Sequence, residues 1–490
     1  MARTRTSSAA ELLLELRRDD DEPLHRQLER ELRKAIRSGR LSDGFVLPST
    51  RGLSDELGIS RGVVVEAYEQ LVAEGYLSSS QGGTTRVCVK LAEPPVGLPA
   101  RDRVFDGAGA PIGEPPPIRI SFTYGRPDVT EFPRQVWLRS LRRVLNETPS
   151  DRLTYLDHRG APELRDALAD YLNRVRGTAA VGDRIVITNG YAQALRLAMM
   201  VVRANGGRHV ISEDPGQQDT VRAARDHGLR VLRVPVDEAG IVTHELDRVD
   251  GGLLVLTPAH HFPTGAVLSA ERRAAVVDWA KRRNAIVLED DYDAEYRYDR
   301  EPIGAIQGLA PDNVMYAGSA SKTLAPGLRL GWLILPARLV DQMADAKDAV
   351  DRGSASLEQL AFADFLSHGE FDRHLRRMRP IYRARRDTLL RALREHLPSL
   401  QPTGASAGLH VLTWLPDGID EADLIRRAAE VRVYVDPLSL YWGPAGGPAG
   451  LLFGYGTVTE GQIEEGIRLI ASVLDDKSLV AGVDRQPSTR

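Results

Sequence analysis

The sequence predicts an α/β protein in which a small helical module precedes a large region built on a mixed, mostly parallel sheet. Residues 22–90 carry closely spaced helix and turn signals, and residues 91–118 are rich in proline. Residues 120–480 alternate short apolar runs with helical stretches of about 10–15 residues, which is typical of βαβ units. At ~100–200 residues per domain, a chain of 490 residues has two to four domains.

Composition excludes several classes of protein. The formal net charge is −4, so any DNA-binding site must be a local feature. The single cysteine, Cys88, excludes an intramolecular disulfide framework and a cysteine-rich zinc site. No apolar run reaches the ~18–20 residues that span a bilayer. Glu11 and Glu15 interrupt Leu12–Leu16, which excludes a secretory signal. We therefore expect a cytoplasmic protein without a membrane partner.

Residues 22–90 have the pattern of three helices and a hairpin. On a predicted first helix over 22–39, apolar residues recur every four positions. They are Leu24, Leu28, Leu32 and Ile36. Ser49 or Thr50 can cap a second helix over Gly52–Leu57, and Ser60 can cap a third over Arg61–Glu74. Two short strands flank Gly82-Gly83. This order predicts a winged helix-turn-helix whose third helix offers its N-terminal end to the major groove of DNA.

Charge supports DNA binding only locally, because residues 1–90 hold 14 basic and 14 acidic residues. The basic side chains on or beside the first two helices and the turn are Arg33, Lys34, Arg37, Arg40, Arg51 and Arg61. An arginine near a helix N-terminus can contact a phosphate or a guanine edge. The alternative is that these side chains form a solvated face.

Four segments of this module resemble the GntR family of bacterial winged-helix repressors. They are Leu47-Pro48-Ser49-Thr50-Arg51, Leu57-Gly58-Ile59-Ser60-Arg61, Ala67-Tyr68-Glu69-Gln70-Leu71 and Glu74-Gly75-Tyr76-Leu77. The resemblance implies a double-stranded DNA operator as partner, and hence association with the nucleoid when bound. It implies DNA contacts by Ser49, Arg51, Ser60 and Arg61, with Gly83 at the wing tip.

Residues 91–118 hold seven of the 29 prolines and predict an extended, semi-rigid linker. The alternative is a surface loop of one continuous domain. The predicted organisation has five parts. These are an N-terminal extension (1–21), the winged helix (22–90), the linker (91–118), an effector and dimerisation domain (119–480) and a flexible tail (481–490).

Seven apolar runs predict the strands of the large domain. They are Arg184–Thr188, His209–Ser212, Leu229–Val234, Leu253–Leu256, Ala285–Leu288, Asn313–Tyr316 and Leu328–Leu335. After about residue 340 the pattern becomes more helical, with a long helix over Arg373–His396. Leu409–Trp414 and Leu451–Gly454 are expected to be isolated strands. This part predicts a smaller α+β domain.

Gly318-Ser319-Ala320-Ser321-Lys322 follows a predicted strand and precedes Arg329 by seven residues. A Schiff base requires one lysine that is held at a fixed point with a lowered pKa. The small residues and the hydroxyls of Ser319 and Ser321 can receive a phosphate, and Arg329 supplies a guanidinium. The alternative is that Lys322 is a solvated loop lysine.

The strand Ala285–Leu288 delivers Asp290 and Tyr292 at its carboxyl end, where ligands of parallel sheets bind. Pyridoxal 5′-phosphate (PLP) requires an anion at its pyridinium nitrogen, which Asp290 can supply, while Tyr292 can bond the ring 3′-oxygen. The alternative is an acidic strand end that caps a loop.

Two further segments fit the same cofactor. Gly190-Tyr191-Ala192 lies where a strand turns into a helix and can present backbone N–H groups to the phosphate. The turn Thr257–Gly265 places His260 over the cofactor face. The paired His260 and His261 raise the alternative of a metal site, but we expect none, because no other His or Cys cluster accompanies them.

Residues 120–480 resemble the fold-type I aminotransferases, and the whole chain resembles the MocR/GabR family of transcriptional regulators. Further segments that fit the family are His374–Arg379, Tyr382, Arg385-Arg386-Asp387 and Ala407–His410. The resemblance implies PLP bound to Lys322 and a domain-swapped, head-to-tail homodimer in which both winged helices bind DNA. It also implies that Tyr155 reaches the phosphate of the neighbouring subunit.

The chain departs from this family at positions where relatives contact the cofactor ring or the substrate. Gln217 replaces a frequent aromatic residue, Asp219 lies where GABA-responsive members have arginine, and His261 replaces a more usual glutamine. Leu451–Tyr455 lacks the arginine with which many relatives hold a substrate carboxylate. Burying the carboxylate of an amino-acid substrate without a paired cation is costly. Ordinary turnover of amino acids is therefore not expected.

The sequence therefore favours a regulator over an enzyme. In that hypothesis the aminotransferase-like domain is a sensor, and its effector is PLP, as in regulators of vitamin B6 synthesis, or an amino compound. The second hypothesis is an active aminotransferase with an appended DNA-binding module. The third is a plain repressor whose large domain is a dimerisation scaffold.

Overall fold

The protein is described from a computed structural model that covers residues 12, 14, 16–79, 84–88, 118–155, 157–293, 295–298 and 303–474. The chain divides into two compact units, Met1–Gly109 and Ala110–Arg490. Residues 91–117 of the predicted linker, the predicted tail over 481–490 and Gly83 at the wing tip lie outside the described residues.

The first unit is a winged helix-turn-helix, as predicted. Its elements are α1 (Leu24–Arg37), α2 (Thr50–Leu57), α3 (Arg61–Ala73), β1 (Leu77–Ser78) and β2 (Arg86–Val87). The side chain of Ser49 accepts from the N–H of Gly52, so Ser49 rather than Thr50 caps α2, and that of Ser60 accepts from the N–H of Val63, so the predicted cap of α3 forms. The two strands pair antiparallel and form the base of the wing.

One apolar core holds the first unit together. Leu28, Leu32 and Ile36 of α1 are fully buried against Val64 and Leu71 of α3. The predicted four-residue spacing therefore identifies the buried face of α1 at three of its four positions, whereas Leu24 is only half-buried. Leu12, which lies in the predicted N-terminal extension, is fully buried in the same core.

The second unit contains an eight-stranded sheet with the order β4-β11-β10-β9-β8-β5-β6-β7. The strands are β4 (Ile185–Thr188), β5 (His209–Asp214), β6 (Arg230–Asp237), β7 (Gly240–Ile241), β8 (Leu253–Leu256), β9 (Ile286–Asp291), β10 (Val314–Ser319) and β11 (Gly331–Ile334), after a short β3 (Ile120–Ser121). The five strands from β10 to β6 are parallel, whereas β11 is antiparallel to both β10 and β4. The mixed, mostly parallel sheet is confirmed.

The strand predicted over Leu328–Leu335 is shorter, because Pro326–Leu328 forms a 3-10 turn that ends at Arg329 in the left-handed conformation, with φ 52°. The helices of the unit are α4 (Arg134–Glu147), α5 (Pro162–Arg176), α6 (Tyr191–Ala204), α7 (Gln218–Asp226), α8 (Ala270–Arg282), α9 (Val340–Asp351), α10 (Ser356–Ser367) and α11 (Glu370–His396). Separate apolar clusters form as they pack against the sheet, which buries β9 throughout.

The two strands predicted at Leu409–Trp414 and Leu451–Gly454 form, and they are paired rather than isolated in the fold. The smaller part contains β12 (Pro402–Thr403), β13 (His410–Trp414), α12 (Glu421–Glu430), β14 (Val433–Tyr434), β15 (Asp436–Pro437), β16 (Gly450–Gly454) and α13 (Glu460–Leu474). β13 and β16 are antiparallel neighbours in a four-stranded sheet, and β3 pairs with β14. The pairing joins residues about forty positions apart, for which local sequence carries no signal.

Two glycines form one of the contacts between the smaller part and the loops of the main sheet. A Cβ atom on Gly265 would lie 2.2 Å from the Cα of Gly404, and both residues have positive φ. The turn after β8 and the loop after β12 therefore meet backbone to backbone. Within the described residues, no helix is both long and apolar enough to cross a membrane.

We expect Leu32→Ala to destabilise the first unit by about 2–5 kcal/mol, because it leaves a cavity in a small core. All five tryptophans lie in the second unit, so tryptophan fluorescence during denaturation should be unchanged. Hydrogen exchange of α1 and α3 should accelerate. Exposed Arg26→Ala on α1 is the control, with an effect within about 0.5 kcal/mol. An equal shift of the tryptophan transition would contradict this expectation.

Candidate functional site

Lys322 lies on the loop after β10, with its amine directed into the second unit. Nζ donates a hydrogen bond to the carbonyl of Gly125 and lies 5.5 Å from the centre of the Tyr124 ring. Burial lowers the pKa of Lys322, although the carboxylates of Asp293 and Asp290 oppose that shift. The position has the lowered pKa that a nucleophilic amine requires, which a solvated loop lysine lacks.

Asp290 is buried near the carboxyl end of β9, beside the strand that leads to Lys322. Gln217 Nε2 donates to Asp290 Oδ2 at 3.0 Å. Burial raises the pKa of Asp290 well above its usual range, and the neighbouring Asp291 adds to the shift. Gln217 and Lys322 oppose the shift without reversing it. A cationic group placed against Asp290 would favour its ionised form.

Tyr292 and His260 form a buried network next to Asp290. The Tyr292 hydroxyl donates to the backbone carbonyl of His260 at 3.1 Å and lies 3.3 Å from His260 Nδ1. His260 Nδ1 lies 2.9 Å from Asp293 Oδ2, and Nε2 lies 3.1 Å from the Gly404 carbonyl. Burial lowers the pKa of His260, but the Asp293 carboxylate outweighs burial and the net pKa is raised. With both nitrogens protonated, His260 can donate to both acceptors.

The segment Gly190-Tyr191-Ala192, here called the phosphate turn, begins α6. Gly190 has φ 84°, and a Cβ atom there would lie 2.8 Å from Arg329 Nη2, so only glycine leaves room for the guanidinium. Arg329 Nη2 donates to the Asn189 carbonyl. The first N–H groups of a helix have no partner within the helix, and the turn therefore combines free donors with a cation.

Ser319 and Ser321 lie half-buried at the end of β10 and just beyond it. Ser319 pairs with Gly331 of β11, and Gly331 pairs with Thr188 at the end of β4. The antiparallel β11 therefore brings the serine loop close to the phosphate turn, although β4 and β10 are far apart in sequence.

A small pocket lies beside Gln217, whose amide donates to Asp290. Its lining consists of Tyr191, Ser212, Glu213, Gly216, Gln217, Thr220, Val255, Thr257 and Phe262. The hydroxyl of Tyr191 is buried and lacks a hydrogen-bond partner of normal geometry. Burial raises the pKa of Tyr191, and its interaction with the Asp290 carboxylate adds to the shift, so this hydroxyl lies beside Asp290.

Sequence reasoning missed Glu213, at the end of β5. Its carboxyl group accepts from the N–H of Thr257 at 3.0 Å and from the Thr257 hydroxyl at 2.8 Å. Burial raises the pKa of Glu213 to about 8. His261 Nε2 lies 3.6 Å away, and burial lowers the pKa of His261 to about 3. The signal was the position of Glu213 at a parallel strand end, like that of Asp290.

His410 was also missed as a neighbour of His260. Ligand atoms of His260, Asp293 and His410 lie within 4.8 Å of one another, and all three residues are buried. His410 comes from β13, so the sequence around His260 gave no sign of a third group that could hold a metal. In this structure His260 Nδ1 is hydrogen-bonded to Asp293, and His410 Nε2 lies 3.2 Å from the Pro263 carbonyl.

Tyr155 stands apart from the other candidates. Its side chain is 88% exposed and contacts no part of the site. Leu153 beside it and Leu145 of α4 are also exposed, at 52% and 54%. Three large apolar or aromatic side chains between residues 145 and 155 are therefore exposed.

In the first unit, Ser49, Arg51, Ser60 and Arg61 are exposed at the N-terminal ends of α2 and α3. Arg61 Nε lies 3.4 Å from the Thr50 hydroxyl. Arg33 is instead held by Glu74 through two hydrogen bonds of 3.0 and 2.8 Å.

Comparisons with known proteins agree with this two-unit organisation. Residues 24–87 match the family described as bacterial regulatory proteins, gntR family, and residues 120–448 match aminotransferase class I and II. The chain is 33% identical over 476 residues to a probable rhizopine catabolism regulatory protein MocR of Rhizobium meliloti, covering 94% of this chain and 95% of that protein. It is 32% identical over 454 residues to the HTH-type pyridoxine biosynthesis transcriptional regulator PdxR of Corynebacterium glutamicum, covering 92% and 96%.

Solved aminotransferases share the fold of the second unit. Kynurenine aminotransferase of Pyrococcus horikoshii superposes with a TM-score of 0.68 at 26% identity, covering 74% of this chain and 92% of that one. The α-aminoadipate aminotransferase LysN of Thermus thermophilus, solved with N-(5′-phosphopyridoxyl)-L-leucine, superposes with a TM-score of 0.66 at 28% identity, covering 74% and 93%.

We expect Glu213→Gln to change how stability depends on pH. Because the folded-state pKa of Glu213 is about 8, above the ordinary 4.5, the folded protein keeps a proton that the unfolded chain loses. That contribution is full below the ordinary value and is lost as pH rises toward 8. The unfolding free energy of the variant minus that of wild type should therefore increase with pH. Denaturant titrations across this range measure it.

The exposed Glu238→Gln is the matched control, whose stability should run parallel to wild type at every pH. A constant difference between Glu213→Gln and wild type would show that Glu213 is already ionised in the folded protein.

Proposed function

The chain belongs to the MocR/GabR-type transcriptional regulators, which join a GntR winged helix to an aminotransferase class I and II domain, and on that premise we propose that it binds its DNA operator under the control of PLP. One observation carries the proposal. A single chain combines exposed arginines at the N-terminal ends of two winged-helix helices with a half-buried lysine, Lys322, whose pKa is lowered by burial and whose amine interacts with the carboxylates of Asp293 and Asp290.

The residues around Lys322 fit PLP. When bound, PLP supplies an aldehyde that condenses reversibly with amines. The phosphate turn and Arg329 would hold the phosphate, together with the hydroxyls of Ser319 and Ser321. Asp290 would lie at the ring nitrogen, and the buried Tyr191 hydroxyl offers a further polar contact. The phosphopyridoxyl compound in the structurally similar LysN supports this assignment.

The substrate side favours sensing over turnover. β16 is a fully buried apolar strand, Gly450–Gly454, and contributes no cation for a substrate carboxylate. Gln217 is bonded to Asp290 and offers no aromatic face. We therefore infer that PLP itself is the first candidate for the effector, which the name of the 32% identical PdxR supports. An amino compound is the second.

An active aminotransferase remains the alternative function. The observation in its favour is a 29% identity over 371 residues to a 2-aminoadipate transaminase of Thermus thermophilus. Steady-state turnover with a panel of amino donors distinguishes the two, since ordinary enzyme rates would make catalysis the main role.

We propose a head-to-tail homodimer as the functional form. The exposed Tyr155 and the apolar side chains near it support the proposal, because a second subunit would cover them and receive Tyr155 at its phosphate. Each dimer would then present two winged helices to a two-part operator.

We expect Lys322→Ala to abolish covalent PLP binding. Wild-type protein should show visible absorbance that borohydride bleaches, and its affinity for an operator selected from random duplexes should change when PLP is added. The variant should show neither effect, whereas exposed Lys281→Ala should show both. Borohydride-sensitive absorbance in Lys322→Ala would refute the assignment of this amine.

We expect Arg61→Ala to weaken binding to the selected operator by about 1–3 kcal/mol if Arg61 contacts a base edge, or to reduce the salt slope by about one if it contacts a phosphate. Fluorescence anisotropy over a salt series separates these contacts. Arg225→Ala, which removes an exposed arginine of α7, should leave both quantities unchanged. Equal behaviour of the two variants would exclude Arg61 from the interface.

A further inference from the structure

Lys347 and Asp351 form an ion pair one helical turn apart in α9. Lys347 Nζ lies 2.6 and 2.7 Å from the two carboxylate oxygens of Asp351, and its side chain is fully buried. Ser354 also accepts from this amine, at 3.0 Å. A lysine is almost never fully buried without a partner, and desolvation offsets much of the stability of such a pair. The pair therefore calls for a role beyond stability.

Asp351 bonds both ends of the phosphate turn. Its Oδ2 accepts from Asn189 Nδ2 at 2.8 Å and from Gln193 Nε2 at 2.6 Å. Gln193 Oε1 in turn accepts from the N–H of Asn189 at 2.7 Å. Asn189 directly precedes the phosphate turn and Gln193 directly follows it, so one carboxylate oxygen ties both ends of the turn to α9.

Asn189 extends this network to the candidate phosphate ligand Arg329. The carbonyl of Asn189 accepts from Arg329 Nη2, while its side-chain amide is held by Asp351. Asp351 therefore positions the Arg329 guanidinium indirectly, by holding Asn189. These contacts hold the backbone N–H donors of the turn and the neighbouring cation in place relative to each other.

The buried lysine makes this arrangement compatible with an anion. An unpaired carboxylate behind the turn would repel a phosphate, whereas the Lys347–Asp351 pair is neutral as a whole and preserves the positive end of α6. Burial raises the pKa of Asp351, but hydrogen bonds from Lys347 and Gln193 outweigh it and hold the pKa below its usual range. The carboxylate therefore stays ionised as an acceptor.

We propose that Lys347 and Asp351 are positioning residues that hold the phosphate turn in its anion-binding form and so make the site prefer a phosphorylated pyridine aldehyde over its unphosphorylated counterpart. The inference rests on the proposed function, because the phosphate turn is part of the PLP site. It adds the origin of the preference, which lies in a buried ion pair outside the pocket.

The test compares the affinities of the full-length protein for PLP and for pyridoxal, which lacks the phosphate. Both are measured by visible absorbance titration of wild type, Asp351→Ala and the double variant Lys347→Met with Asp351→Leu. The double variant leaves no buried charge unpaired, so it keeps the test open if Asp351→Ala folds poorly. Exposed Asp345→Ala on the same helix is the matched control.

We expect both variants to bind PLP about tenfold more weakly, equivalent to about 1.4 kcal/mol, with little change for pyridoxal. The ratio of the two affinities therefore falls about tenfold, and Asp345→Ala keeps the wild-type ratio. A merely structural role would weaken both ligands equally and leave the ratio unchanged. That result, or unchanged PLP affinity in the double variant, would overturn the inference.

Failure of the proposed function has a different signature. Wild-type protein would then bind neither PLP nor pyridoxal at Lys322, and this inference would fall with the proposal. Strong PLP binding by wild type with an unaltered ratio in the variants would overturn the inference alone.

Discussion

The second unit is organised by the need to compensate carboxylates buried at the carboxyl end of its parallel strands. Asp291 is paired with Arg176 at 2.6 Å, and Asp293 with His260 at 2.9 Å. Glu289 accepts hydrogen bonds from two backbone N–H groups, and burial raises its pKa to about 7, which favours the uncharged form. Asp290 differs, because the groups that can donate to it, the Gln217 amide and the Tyr191 hydroxyl, are uncharged. A buried carboxylate with such weak partners is suited to a cationic ligand.

The location of these carboxylates at strand ends explains which parts of the site the sequence could predict. Asp290 and Lys322 follow apolar runs, and the carboxyl ends of adjacent parallel strands meet at one edge, so pattern alone brings them together. The Lys347–Asp351 pair could not be found this way. Its contact with Asn189 spans 162 positions and depends on how α9 packs behind the turn. His410 and the pairing of β13 with β16 were hidden for the same reason.

Helix boundaries in the first unit were predictable because their determinants are local. Ser49 and Ser60 cap the helices that follow them, and a four-residue apolar spacing marks the buried face of α1. The burial of Leu12 had no such signal, since the short run Leu12–Leu16 is too brief to show a helical or strand period. The strand at Leu328–Leu335 was predicted too long, because apolar content does not reveal the left-handed residue Arg329.

The contact between Gly265 and Gly404 has a consequence for the conformational freedom of the protein. Two main chains meet there with no side chain between them, and His260 lies 3.1 Å from the Gly404 carbonyl. Packed protein matter is barely compressible, so a displacement of the smaller sheet toward the larger one has no slack to absorb it. The contact therefore resists closer approach of the smaller sheet to the larger one at a point one hydrogen bond from the His260–Asp293 pair.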